Sequence, residues 1–279
     1  MLKAKTVKFA KSLYHRFKSD EVPAIGSQLA YHLLLAFFPF LIFLVTLSGY
    51  IPYIDIKLLN ELSKVLPPKT YDMVVSIIEE TLRQRSGTLL SFGMIATLFI
   101  ASNGLSSLIK GLNKAYRQKE TRPLWKVKGL SVVYTLGLAL IIVFIFVLVI
   151  FGQEVGRFVF DLLDSPVSFK TTWNFLRYIV SVIAVISVLV SIYMFFPNKR
   201  LGIKEVLPGS IFSTFAWLLI SEALSLYVSS FSNIARTYGS IGGIIVLMIW
   251  LYWSGIILIM GGEINATLAT WSNDGSKLR

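Results

Sequence analysis

Six polar side chains sit in stretches otherwise too apolar to hold them: Gln28, His32, Asn103, Glu222, Glu263 and Asn265. An ionisable or amide group surrounded by hydrocarbon is costly unless it is paired, wetted or used, so each is a candidate for a substrate or proton pathway. Were spans one, two and six neighbours, all of these groups but Glu222 would converge on one pocket, and a His32 and Glu263 pair there would couple protonation to movement. Glu222 lies 16 residues beyond Val206, about 24 Å along a helix, and needs a cation there. Arg177 is its first candidate partner and Arg236 its second. The plainer reading of each is structural: a Glu222 to Arg177 clamp that fixes packing, a Glu263 standing in interfacial water, a His32 making a local hydrogen bond. Cysteine is absent and there are two histidines, which excludes disulfides and thiolate chemistry and argues against a His/Cys metal site. The acids of the charged connections are scattered, whereas nuclease chemistry needs clustered carboxylates or histidines on metal ions. The sequence therefore predicts no catalytic residues, no metal, no cofactor and no enzyme.

These groups need long apolar rods to position them, and 55% of the chain is hydrophobic. From Ile241 to Gly262 there is no charge over 22 residues, about 33 Å of helix against a bilayer core of roughly 30 Å. Glycines crowd both ends of this stretch, among them Gly242, Gly243, Gly261 and Gly262, which suits close packing and could serve as hinges. Trp250, Tyr252 and Trp253 fall near mid-span, where a buried indole N–H or phenol wants a partner. Read in order, the expected spans are 29–50, 88–109, 130–152, 175–196, 206–231 and 239–266. Pro39 kinks the first and is a further hinge candidate. Gly93, Thr97 and Ala101 form a small-residue ridge on the second, and the third is almost without polar atoms.

Two surface elements complete the expected architecture. Residues 1–22 place Phe9, Ala10, Leu13, Tyr14 and Phe17 at helical spacing among lysines, as an amphipathic helix on an anionic leaflet would. Residues 51–87 show two amphipathic stripes around Pro67-Pro68, read as a helical hairpin on the other face and a docking surface for an envelope protein. The net charge of +12 is sorted by loop rather than spread as a nucleic-acid footprint. Lys and Arg gather in the N-terminus and in 110–128, 197–205 and the tail, while the five in 51–87 are matched by five acids. The expectation is one all-α polytopic membrane domain over 1–279, with six transmembrane helices, both termini cytoplasmic and anionic lipid as the partner of the basic face.

Four stretches in order resemble the YihY/BrkB family of bacterial inner-membrane proteins, once mislabelled ribonuclease BN: Ala30 to Leu44, Ala101 to Arg117, Phe196 to Trp217 and Tyr238 to Ala266. The resemblance implies a six-span plasma-membrane protein for which lipid or precursor transport has been suggested. Two functions follow as expectations: a flippase-like translocator of a lipidic or amphipathic substrate with a polar cavity, and a non-transporting scaffold or envelope-assembly factor. Neither the substrate nor the oligomeric state is written in the sequence.

Overall fold

A computed structural model describes residues 2–48, 87–150, 169–230 and 240–276. Hydrocarbon offers a backbone no partners, so long apolar stretches close their hydrogen bonds internally as helices. All regular structure among the described residues is helical: α1 (Leu2–Ser19), α2 (Val22–Ser48), α3 (Gly87–Ala115), α4 (Leu124–Ile150), α5 (Phe169–Phe195), α6 (Ile203–Ser230) and α7 (Ser240–Ser276). Five carry segments long and apolar enough to cross a membrane: Val22–Phe43, Gly87–Ala115, Leu124–Ile141, Ile203–Val228 and Gly242–Trp271. α5 adds a shorter apolar stretch, Ile179–Phe195. Ile95, Phe99, Leu140, Phe215 and Leu219 stand exposed, as lipid-facing residues do and as a water-soluble surface would not tolerate in such number. The chain is an all-helical, multi-pass membrane protein.

Several helices run past the apolar windows read from the sequence. α2 begins at Val22 rather than near Leu29, and α7 continues to Ser276 rather than ending at Ala266. Propagating an existing helix into polar residues costs little once it is nucleated, so composition marks the membrane and not the helix end. The expected hairpin at 51–87 lies outside the described residues but for Gly87, the first residue of α3.

Two compact units divide the chain. The first comprises Met1–Leu34, Ser102–Thr135 and Val182–Arg279; the second, Leu35–Ala101 and Leu136–Ser181. In the second unit α3 meets α2 at the expected small-residue ridge. A Cβ on Gly93 would stand 2.9 Å from Phe43 N and 3.0 Å from Pro39 O, so only glycine lets the two backbones approach there. α2 remains one helix through Pro39.

In the first unit α6 packs on α7, and sequence chemistry explains how. Pro208 interrupts the backbone ladder early in α6. Asn265 of α7, fully buried, reaches that turn: its Oδ1 accepts from Gly209 N at 2.6 Å and its Nδ2 donates to Val206 O at 3.0 Å. One turn along, a Cβ on Gly261 would collide with Ser213 Oγ and Tyr193 Oη. Those hydroxyls lie 2.8 Å apart, and the α7 carbonyls of Leu258 and Ile257 stand 2.7 Å from Tyr193 Oη and 3.1 Å from Ser213 Oγ, so the two O–H groups are shared among three contacts. Further along the helix pair, Trp217 donates to Ser254 Oγ at 3.1 Å and Trp250 to Ser221 Oγ at 2.9 Å. The mid-span indole at position 250 thus has the partner its burial requires.

α1 also packs on α7. Phe9, Leu13 and Phe17 are half-buried, and Phe9 meets Trp271 edge-on at 5.5 Å, while Ala10 and Tyr14 stay exposed. The apolar stripe of α1 is therefore used at least in part by protein.

Candidate functional site

Three chain elements of the first unit meet where α1 turns into α2, where α3 ends, and partway along α7. The α1–α2 link is two residues long: Asp20 N donates to Arg16 O at 2.8 Å and Glu21 N to Lys18 O at 3.2 Å, with Glu21 at φ 55°. α3 stops the same way. Arg117 sits at φ 55°, Gln118 N donates to Asn113 O at 2.8 Å and Arg117 N to Lys114 O at 3.0 Å, the paired bonds that close a helix through a left-handed residue. Neither stop uses glycine, so each costs about 1–2 kcal/mol. Among the described residues these are the two non-glycine positions with positive φ, and they belong to one latch. Arg117 Nη1 donates to Asp20 Oδ1 at 3.0 Å, and Lys114 Nζ donates to Glu21 Oε2 at 2.7 Å. Lys114 holds the Glu21 carboxyl below the usual carboxylate range, though in a solvated pair.

Beneath the latch lies a buried acid pair. Asp20 is 1% exposed and Glu263 of α7 is fully buried. Arg16 Nη1 donates to Glu263 Oε2 at 3.3 Å and to Ala115 O at 3.0 Å. The Asp20 carboxyl is a near neighbour of the Glu263 carboxyl. Asp20 Oδ2 and Glu263 Oε1 have no donor among the described residues. Two carboxylates are both acceptors, so they bond each other only with a proton between them.

Beside the pair opens a cleft of about 70 Å3 lined by Arg16, Tyr116, Arg117, Lys199 and Thr270. The Tyr116 hydroxyl also lacks a partner among the described residues, and burial pushes the phenol well above its ordinary value. Lys199 places its ammonium 5.8 Å from the centre of the Tyr116 ring.

The far side of the α3 terminus is tied down by a polar clasp. Glu120 accepts from Arg122 Nη2 at 2.7 Å and from Asn113 Nδ2 at 2.8 Å, and Arg122 Nη2 reaches on to Phe196 O at 2.7 Å. Asn113 Oδ1 takes Asn198 N at 2.6 Å, joining the ends of α3 and α5. The Arg122 guanidinium holds the Glu120 carboxyl below its usual range.

The residues singled out from sequence fall into separate sets. α2, α3 and α7 do pack together in this unit: Ile25 and Ile259 flank Gly111, and Leu112 abuts Gly262. Their polar groups take different partners all the same. His32 Nδ1 bonds its own helix at Gln28 O, 2.7 Å away, and the Gln28 side chain is exposed. Asn103 Oδ1 accepts from Lys128 Nζ of α4. Glu263 joins Arg16 and Asp20, and Asn265 holds α6. Glu222 stands exposed on α6. The side chain of Arg177 and all of Arg236 lie outside the described residues, as does the pairing expected of them. Gly242 is buried, whereas a Cβ on Gly243 would meet nothing within 4 Å. Among the described residues no three His, Cys, Asp or Glu side chains gather as a metal site would need.

Sequence reasoning missed Arg16, Asp20, Tyr116 and Arg117. Arg16 hid among the lysines of a basic helix, and Asp20 lies just outside any apolar window. The available signal was the pair of adjacent acids, Asp20 and Glu21, closing an otherwise basic segment.

Comparison with known proteins places this corner in a wider group. The family described as Virulence factor BrkB matches residues 13–278. The ribonuclease-like protein YfkH of Bacillus subtilis (strain 168) is 42% identical over 260 residues, covering 93% of this chain and 94% of that one. A UPF0761 membrane protein of Alteromonas mediterranea is 24% identical over 261 residues, covering 91% and 85%. Another from Aggregatibacter aphrophilus is 25% identical over 275 residues, covering 94% and 92%. No solved structure matches. With a family match spanning nearly its whole length and seven described helices of which five can cross a bilayer, the chain belongs to the virulence factor BrkB family of bacterial multi-pass membrane proteins.

Proposed function

We propose that the protein is a translocator of an anionic lipidic or amphipathic substrate, with the Asp20–Glu263 pair as its proton-exchanging element. One observation supports this above the rest: two buried carboxyls, each with an oxygen lacking a donor, are held by guanidiniums from different chain segments. Gain or loss of a proton there changes what Arg16 and Arg117 bind, and so changes how α1, α3 and α7 are joined. The positive-inside distribution of Lys and Arg favours a cytoplasmic location for this corner and for both termini. The exposed Lys8, Lys11 and Lys18 of α1 would then face anionic lipid at about 1 kcal/mol each.

A second reading, a scaffold or envelope-assembly factor docking through 51–87, draws on Asn265, Asn103 and His32, whose hydrogen bonds go to neighbouring protein groups. The name of the Bacillus relative raises ribonuclease activity. Our reading is non-enzymatic, and purified protein incubated with RNA and Mg2+ should leave the RNA intact.

Reconstitution decides between the two membrane readings. Proteoliposomes carrying the protein should move a headgroup-labelled anionic lipid between leaflets faster than empty vesicles, and Glu263→Gln should lose most of that rate. If the wild-type protein moves neither lipid nor solute at pH 6 or at pH 8, the translocator is excluded and the scaffold stands.

A further inference from the structure

The cleft beside the acid pair presents donors almost without acceptors. Tyr116 is 7% exposed, and its hydroxyl has no partner among the described residues. That hydroxyl is closed off from solvent, so Tyr116 lends the cleft its ring and not its O–H. Arg16 and Arg117 each commit Nη1 to an acid or a carbonyl, and a guanidinium has five N–H groups. Lys199 has no acid partner among the described residues and leans over the Tyr116 ring. Two of the three cations are balanced by Glu263 and Asp20; the third is not.

Three cations around one cleft, one of them in excess of the acids, call for an anion that has several oxygens. Guanidinium forks match the edges of a tetrahedral oxyanion, which is why they recur at phosphate sites. Size points the same way. One water needs roughly 10–15 Å3 of such space, so about 70 Å3 admits a small oxyanion with a few waters but no acyl chain or sugar. A larger molecule enters by its charged end and keeps its remainder outside.

We infer that this cleft binds a phosphate group through Lys199 and the uncommitted N–H groups of Arg16 and Arg117. The inference deepens the translocator reading by naming the headgroup chemistry. The phosphate can come from an anionic lipid or from a soluble phosphate, and the test separates the two.

Thermal unfolding of the full chain is followed in neutral maltoside micelles at constant ionic strength. Inorganic phosphate, short-chain phosphatidic acid and short-chain phosphatidylcholine are titrated in turn, with chloride as the reference salt. A ligand that binds only the folded state raises the midpoint in a saturable way that yields an apparent Kd. Phosphatidic acid should stabilise the wild-type protein. The variant Lys199→Gln should weaken its apparent Kd about tenfold, as losing a charge-assisted hydrogen bond does. The substitution removes no described hydrogen bond, so the variant should fold, which its unliganded midpoint checks. Stabilisation by phosphatidic acid alone assigns a lipid headgroup; stabilisation by inorganic phosphate as well assigns the phosphate group itself. No saturable shift with either, or equal shifts in wild type and variant, overturns the site. The measurement involves no membrane to cross. A null here is thus distinct from silent proteoliposomes, and positive binding with silent proteoliposomes keeps the site while removing translocation.

Discussion

Replacing Glu263 by alanine should cost far more stability than replacing it by glutamine, although both remove the charge. Alanine deletes the acceptor of Arg16, whose side chain is 13% exposed, and leaves Asp20 facing a void. Removing one partner of a buried ion pair costs about 3–5 kcal/mol. Arg16 keeps its bond to Ala115 O, so the lower end, about 3 kcal/mol, is the better figure. At roughly 2–4 °C per kcal/mol for a chain of this size, the midpoint should fall by about 6–12 °C. Glutamine keeps an oxygen for Arg16 and adds an N–H2 for an Asp20 oxygen that otherwise has no donor. Its cost should stay within about 1 kcal/mol, or under about 4 °C. Scanning fluorimetry in neutral detergent measures both. If glutamine proves as damaging as alanine, Asp20 and Glu263 do not share a proton, and the coupling drawn from them fails with it.

Other substitutions probe the scaffold around this corner. Gly261→Val should push α6 from α7 by driving a side chain into Ser213 and Tyr193, costing about 1–3 kcal/mol in thermal unfolding. Asn265→Leu removes a partner from two buried backbone groups at the Pro208 turn and should cost about 1–3 kcal/mol. Asn265→Asp should be worse, because a carboxylate oxygen then faces Val206 O. Trp250→Phe loses the bond to Ser221, about 0.5–1.5 kcal/mol, and part of the ring packed near Trp217, so unfolding should come at a lower temperature. The Glu120 carboxyl is held below its unfolded value of about 4.3, so its contribution is complete above that pH and is lost as pH falls through the folded value. A pH series of unfolding midpoints should show wild type losing more stability than Glu120→Gln between about pH 4.3 and the lower folded value.

Hydropathy made the rods visible because a bilayer of fixed thickness filters for apolar length, and the mid-span Trp250 announced its need for a partner. The partners themselves were less legible. Asn265 looked like a lining group because an amide in an apolar helix is conspicuous, whereas its task, completing the backbone at Pro208, depends on how α6 crosses α7. Asp20 and Arg16 were hidden for the converse reason. In a charged segment one more acid or base carries no contrast, and only folding shows that Asp20 is buried while its neighbour Glu21 is solvated. His32 shows a third limit: its bond to Gln28 O is local, four residues back, and spacing alone does not distinguish it from a longer-range role.

α7 is 37 residues long, about 55 Å, nearly twice the roughly 30 Å of hydrocarbon it has to traverse. α1 is bolted to it at two heights, through Arg16 at Glu263 and through Phe9 at Trp271, eight residues and about 12 Å apart. A strut fixed at two points cannot pivot about either, so a change in the tilt of α7 must swing α1 with it, as a tiller turns with its rudder post. Freeing the amino-terminal helix therefore requires both fastenings to let go, and of the two only the Arg16 pair can be released by a proton.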